Sequence, residues 1–154
     1  MNERRRLDEK DIALLVRLQE EGRVSLSALG REIGLSQPAV SERVARLEQE
    51  GVITGFGARV DGRKLALPAS AIVRLSTTHD RIAACLEWFE RAPNVLDVAR
   101  VTGEDCFVLR VVFARPEELE VIVDDIGWFG AVTTSLVLRA EAPKIIGREL
   151  LRQG

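Results

Sequence analysis

Apolar positions in the first third of the chain recur with helical spacing. Ile12, Leu15 and Val16 fall at i, i+3 and i+4, and Leu14 and Leu18 widen the stripe. Asp8 is placed to cap this helix, with Asp11 at its third position and Leu7 free to pack on Ile12; Gly22 ends it. Leu26, Leu29 and Ile33 mark a second helix, capped by Ser25 and stopped by Gly34. Val40, Val44 and Leu47 give a third, from Ser36 to Glu50, with Pro38 tolerated in its first turn. The segment VITGFGARVD, residues 52–61, reads as a strand interrupted by Gly55 and Gly57.

Beyond a turn at 61–64, the period changes. SAIVRLST (70–77), VLDVARV (95–101), CFVLRVVFA (106–114) and VTTSLVLRA (132–140) read as strands. Ile82, Cys85, Leu86 and Phe89 form one helical stripe, and Leu119, Ile122, Val123 and Ile126 form another behind Pro116. The order β-α-β-β-α-β predicts a ferredoxin-like four-stranded sheet with two helices on one face. The third strand is apolar on both sides. Phe107, Leu109, Val111 and Phe113 point one way, and Val108 and Val112 flank Arg110 on the other. An apolar face left open by the helices marks an interface, and a second copy is its simplest partner.

The predicted organisation is α+β. A helix-turn-helix, winged-helix-like domain spans 1–51, a strand and linker 52–68, a βαββαβ domain 69–143 and a tail 144–154. The second and third helices are separated by Gly34-Leu35-Ser36, and the third has a lean outer face; that arrangement is a common reader of double-stranded DNA. A plain three-helix bundle with two exposed arginines is the other reading of the same residues. For the DNA reading, Gln37, Pro38, Ala39, Glu42, Arg43 and Arg46 are the contact candidates, with the two arginines foremost. Ser25, Ser27 and Ser36 are candidates for phosphate contacts or caps.

Charge tempers that picture. The 154 residues carry net −2, and residues 1–64 hold 12 Lys and Arg against 11 Asp and Glu. DNA binding would rest on where charge is placed, not on its sum. The segment Asn2-Glu3-Arg4-Arg5-Arg6 is either an arm for phosphates or a solvated tail. Cys85 and Cys106 form no CxxC pair, and the charged N-terminus has no apolar run, so a reduced, cytoplasmic protein is expected. No stretch reaches the roughly 18 apolar residues of a membrane span. His79 is the single histidine and has no partners at ligand spacing, so neither a metal nor a cofactor is expected. Trp88 reads as core, and Trp128 as core or as lining of a subunit interface or a ligand pocket.

The pieces LDEKD, GLS and RVARLEQEGVI, with the segment that follows, occur in an order that resembles the Lrp/AsnC (feast/famine) family of transcriptional regulators over about residues 6–145. The resemblance implies a dimerising βαββαβ effector domain, further assembly into octamers or related rings, and an amino acid or similar molecule bound between effector domains. It places the effector near Thr102, Gly103, Glu104, Asp105 and Cys106, and near Thr133, Thr134 and Ser135. Cys106 stands where the family has aspartate, Phe129-Gly130-Ala131 where it has Pro-Gly-Val, and Ala45 where many relatives carry a basic residue. Two alternatives share this layout: an architectural DNA-binding protein without an effector, and an enzyme resembling the siroheme decarboxylases. The latter fits poorly with one histidine and no tyrosine.

Overall fold

A computed structural model describes residues 7–153. The segment Asn2–Arg6 and the terminal Gly154 lie outside the described residues. The chain divides into two compact units. One contains the residues up to Arg59 together with those from Ala142 onward; the other is Val60–Glu141.

In the first unit, α1 spans Glu9–Glu20, α2 Leu26–Ile33 and α3 Gln37–Gln49. Asp8 and Asp11 form a reciprocal capping box at the start of α1. Ser25 Oγ accepts from the Ala28 amide at 3.2 Å, and Ser36 Oγ from the Ala39 amide at 3.4 Å, so both serines act as N-caps. Leu14, Leu29, Ile33 and Val40 form the centre of the core, with Leu18, Leu26, Leu35 and Val44 packed around them. The turn from α2 to α3 is set by two glycines. Gly34 takes the left-handed conformation at φ 69°. At Gly30 an added Cβ would lie 2.5 Å from the Leu35 carbonyl oxygen, so the turn can fold back on α2 only where no side chain intervenes.

Residues 52–61 do not form the strand expected of them. They pair with no other strand, and a lone extended segment leaves its backbone groups to solvent. Nor are residues 144–153 a free tail. The short helix α6, Arg148–Leu151, belongs to the first unit. Gln19 exchanges two hydrogen bonds with the backbone of Ile146 at 3.1 and 2.9 Å, and Arg152 pairs with Glu9 through two contacts of 3.0 Å. Leu15 and Leu18 line a cleft with Ile53, Phe56, Ile146 and Leu151, so the apolar side of α1 turned from α2 attracts the returning chain.

The second unit has β1 at Ala69–Thr77, α4 at Ile82–Arg91, β2 at Val95–Arg100, β3 at Phe107–Phe113, α5 at Pro116–Gly127 and β4 at Gly130–Leu136. The sheet order is β2-β3-β1-β4, antiparallel throughout. Alternation decides the faces: Ala71, Val73 and Leu75 join Phe107, Leu109, Val111 and Phe113 in a core covered by Cys85 and Phe89 of α4 and by Ile122 and Ile126 of α5. The last strand starts two residues earlier than its apolar pattern suggests and ends at Leu136. Its pairing runs out with β1, and Val137 donates the final bond to Ser70 at 2.9 Å. Gly130 permits that early start, because a Cβ there would lie 2.0 Å from the Ser76 carbonyl oxygen.

Gly30→Ala is expected to destabilise the first unit by about 1–3 kcal/mol, as overpacking against rigid backbone does. Urea unfolding followed by circular dichroism measures it, with Gly57→Ala, which meets nothing, as the control.

Candidate nucleic-acid interface and effector loop

The outer side of α3 is exposed at Gln37, Pro38, Ser41, Glu42, Ala45, Glu48 and Gln49. Its two cations are engaged elsewhere. Arg43 Nη1 donates to Asp8 Oδ2 at 2.6 Å and to Asp11 Oδ1 at 2.7 Å, and Arg46 Nη2 donates to the same Asp11 oxygen at 2.7 Å. The Asp11 side chain is only 6% exposed, whereas that of Asp8 is 51%. Arg46 Nε is buried without a hydrogen-bond partner among the described residues, so this arginine packs along its stem as well as at its tip. The arginines foremost among the sequence candidates are thus tied to α1, together with their carboxylates. The sequence pattern identifies Asp8 and Asp11 only as a cap. Their second role could not be seen there, because it depends on how α1 crosses α3.

Burial pushes the Asp8 carboxyl up, but the Asp11 amide and the Arg43 guanidinium together outweigh it and hold the group below its ordinary value. The same pairing raises Arg43 further above neutrality. On the far side of α1, Arg17 joins Glu32 of α2 at 2.7 Å and also meets Glu20 and Glu21 at 3.2 Å. The Lys10 ammonium donates to the Ile33 carbonyl at the open end of α2. The serines are occupied too: Ser25 caps α2 and lies 3.1 Å from Ser27 Oγ, and Ser36 caps α3. Ala39 is half-buried, while Gln37, Pro38 and Glu42 remain outward.

In the second unit, Thr102, Gly103 and Glu104 form an exposed loop between β2 and β3, with Gly103 at φ 114°. Asp105 and Cys106 are half-buried. Cys106 turns inward: its thiol donates to the Thr77 carbonyl at 3.2 Å and accepts from the Thr77 amide at 3.4 Å. Asp105 lies 4.0 Å from Arg74 of β1. Strand register sets Arg74 opposite Thr133 and Ile72 opposite Ser135, so these residues share the face of the sheet away from the helices. Thr134 is opposite Val73 and belongs to the other face. The structure therefore gathers Asp105, Arg74, Thr133 and Ser135 towards one side and separates Thr134 from them. Arg74 was missed in the sequence, where its only signal is a lone charge inside an apolar strand.

Burial raises the Cys85 thiol and favours its neutral form as core filling. Trp88 packs edge-on to Phe89 and Phe129 at 5.9 and 6.5 Å, whereas Trp128 is 82% exposed. No helix among the described residues is long and apolar enough to cross a membrane.

Two family profiles match the chain: the AsnC-type helix-turn-helix domain over residues 7–48 and the Lrp/AsnC ligand binding domain over 70–144. The HTH-type transcriptional regulator LrpC of Bacillus subtilis is 34% identical over 119 residues, which cover 77% of this chain and 81% of that protein. The Bkd operon transcriptional regulator of Pseudomonas aeruginosa is 37% identical over 109 residues, 69% of this chain and 71% of that one. Among solved structures, that of Bacillus subtilis LrpC superposes with a TM-score of 0.85 at 28% identity, covering 91% of this chain and all (100%) of the other. A transcriptional regulator of Neisseria meningitidis in complex with L-Met gives a TM-score of 0.82 at 25% identity, covering 92% and 95%.

Asp11→Asn is expected to destabilise the chain by about 3 kcal/mol, the low end for removing one partner of a buried pair, because the arginines keep some solvent. The pH dependence follows from Asp8. A carboxyl held below its unfolded value contributes fully above that value, and the contribution is lost as pH falls through the lowered one. Asp8→Asn should therefore flatten the acid limb of unfolding free energy against pH; an unchanged limb would show that the cap carries no linkage.

Proposed function

This chain belongs to the Lrp/AsnC family of DNA-binding transcriptional regulators, and we propose that it works as a dimer or larger assembly whose grip on double-stranded DNA is set by an amino acid or related small molecule. One observation carries the DNA half of this reading. After the Gly34-Leu35-Ser36 turn, α3 offers an outer face of Gln37, Pro38, Glu42 and Ala45, lean enough for base edges to approach. The first-turn amides left uncapped, those of Leu26 and Ser27 in α2 and of Gln37 in α3, are suited to phosphate. Arg43 and Arg46 stand at the flank of that face.

The effector half rests on the loop. Thr102 to Cys106, Arg74, Thr133 and Ser135 combine hydroxyls with a cation and a carboxylate, complementary to the carboxylate and ammonium of an amino acid. The Neisseria meningitidis neighbour, a complex with L-Met, supports that class of ligand. Association of two copies is supported by Ile72, Val108 and Val112, which face away from the helices, and by the exposed Trp128. Two-fold symmetry would pair two α3 helices for a pseudo-palindromic site. The chain acts by binding, and no reaction is assigned to it. An effector would shift association between dimers by binding one arrangement better than another.

Fluorescence anisotropy on the chain's own upstream DNA and on a scrambled duplex, over a salt series and with a panel of amino acids, tests this. Selective binding altered by one amino acid is expected, with affinity falling as salt rises. Selective binding that no amino acid alters would remove the effector. Equal, salt-sensitive binding to both duplexes would support the architectural reading instead.

A further inference from the structure

We propose that Glu42 chooses the DNA sequence, by accepting the exocyclic amino hydrogen of a cytosine in the major groove, while Arg43 and Arg46 are positioning residues that hold α3 and take no part in base choice. The inference rests on α3 being the groove-entering helix, as proposed above.

Helical geometry places Glu42 at the middle of the outer face. At about 100° per residue it lies roughly 200° from Val40, opposite the buried stripe. Its neighbours on one side of that face are the uncharged Pro38, Ala45 and Gln49, the first two small enough to let the backbone come close to a base pair; on the other side Arg46, at i+4, is turned to Asp11 at 2.7 Å. Glu42 makes no hydrogen bond or ion pair to another described residue, so its carboxylate is available.

The arginines are placed differently. Arg43 would have to leave two carboxylates at 2.6 and 2.7 Å to reach a guanine. Arg46 would have to leave a buried aspartate at 2.7 Å and draw out a buried Nε. Either departure takes from the buried Asp11 one of its two cationic partners, so a base contact is gained only against the loss of a desolvated ion pair. These are also the only cations on α3, so its outer face has none to offer guanine.

A carboxylate in the major groove needs a donor, since phosphates on both sides repel it. Guanine presents only acceptors there, and thymine an acceptor and a methyl group. Adenine has its amino donor beside the N7 acceptor, which opposes a carboxylate. Cytosine presents an amino donor with no acceptor on the same edge, and is the base that Glu accepts from. Glu42 therefore selects one C·G pair in each half-site and rejects the other three pairs there.

The test is selection of bound duplexes from a random-sequence pool by the full chain and by Glu42→Ala, Glu42→Gln and Arg43→Lys, followed by sequencing. Thermal unfolding of each variant checks folding; Glu42 is exposed, so its variants should melt as the parent does. The parent should enrich a motif with a strongly preferred cytosine. Glu42→Ala should lose roughly five- to hundredfold of the discrimination at that position alone. Glu42→Gln should turn the same position towards adenine, which glutamine binds through N6 and N7. Arg43→Lys should keep the parent motif even where total binding weakens. An unchanged motif for Glu42→Ala, or an altered base preference for Arg43→Lys, overturns the proposal. A parent that enriches no motif overturns sequence-specific binding itself, and this inference with it.

Discussion

Asp11 is the constraint around which the DNA-binding unit is arranged. One oxygen of its buried carboxylate accepts from both Arg43 and Arg46 at 2.7 Å; the other faces the Asp8 amide at 3.3 Å. A carboxylate taken out of water costs several kcal/mol, about as much as a small domain has to spare, and only a full set of charged donors offsets it. Those donors come from α3, thirty-odd positions along the chain. The approach of α3 to α1 is therefore constrained, because moving the helices apart would draw both arginines off that buried charge. The pair need not add net stability to do this; its effect is on which arrangement is allowed.

That constraint divides the labour of α3. Val40, Val44 and Leu47 bury one side, Arg43 and Arg46 brace a flank, and the remaining face is left to solvent and to whatever docks there. The N-terminal part is near neutral by count, and the fold matches Arg17, Arg43 and Arg46 with carboxylates of its own. Arg17 repeats the pattern between α1 and α2 with Glu20, Glu21 and Glu32. These exposed contacts contribute less, because water and salt screen them.

The second unit solves a different problem. Its helices cover one side of the sheet, and the opposite side keeps Ile72, Val108 and Val112 around the charged Arg74 and Arg110. Its last strand leads on through residues 137–145 into the segment that packs against α1, so the two units are joined by two chain connections instead of one.

Much of this was legible in the residue order. Helix and strand periods, Ser25 and Ser36 as caps, Gly34 as a stop and the βαββαβ order are local properties, written in spacings of two to seven positions. The family likeness is of the same kind, carried by contiguous words. Tertiary structure alone decided what the charged residues do. Arg43 and Arg46 look free on a helical projection, yet partners at Asp8 and Asp11 take them up. Arg74 looks incidental until strand register brings it opposite Thr133 and beside Asp105. Residues 52–61 have strand composition but no partner strand, and the C-terminal residues have a partner that no local pattern announces. Backbone preference and amphipathic period are set by near neighbours and survive in the sequence. Ion pairing and strand pairing depend on which distant residues meet, and only the folded chain brings them together.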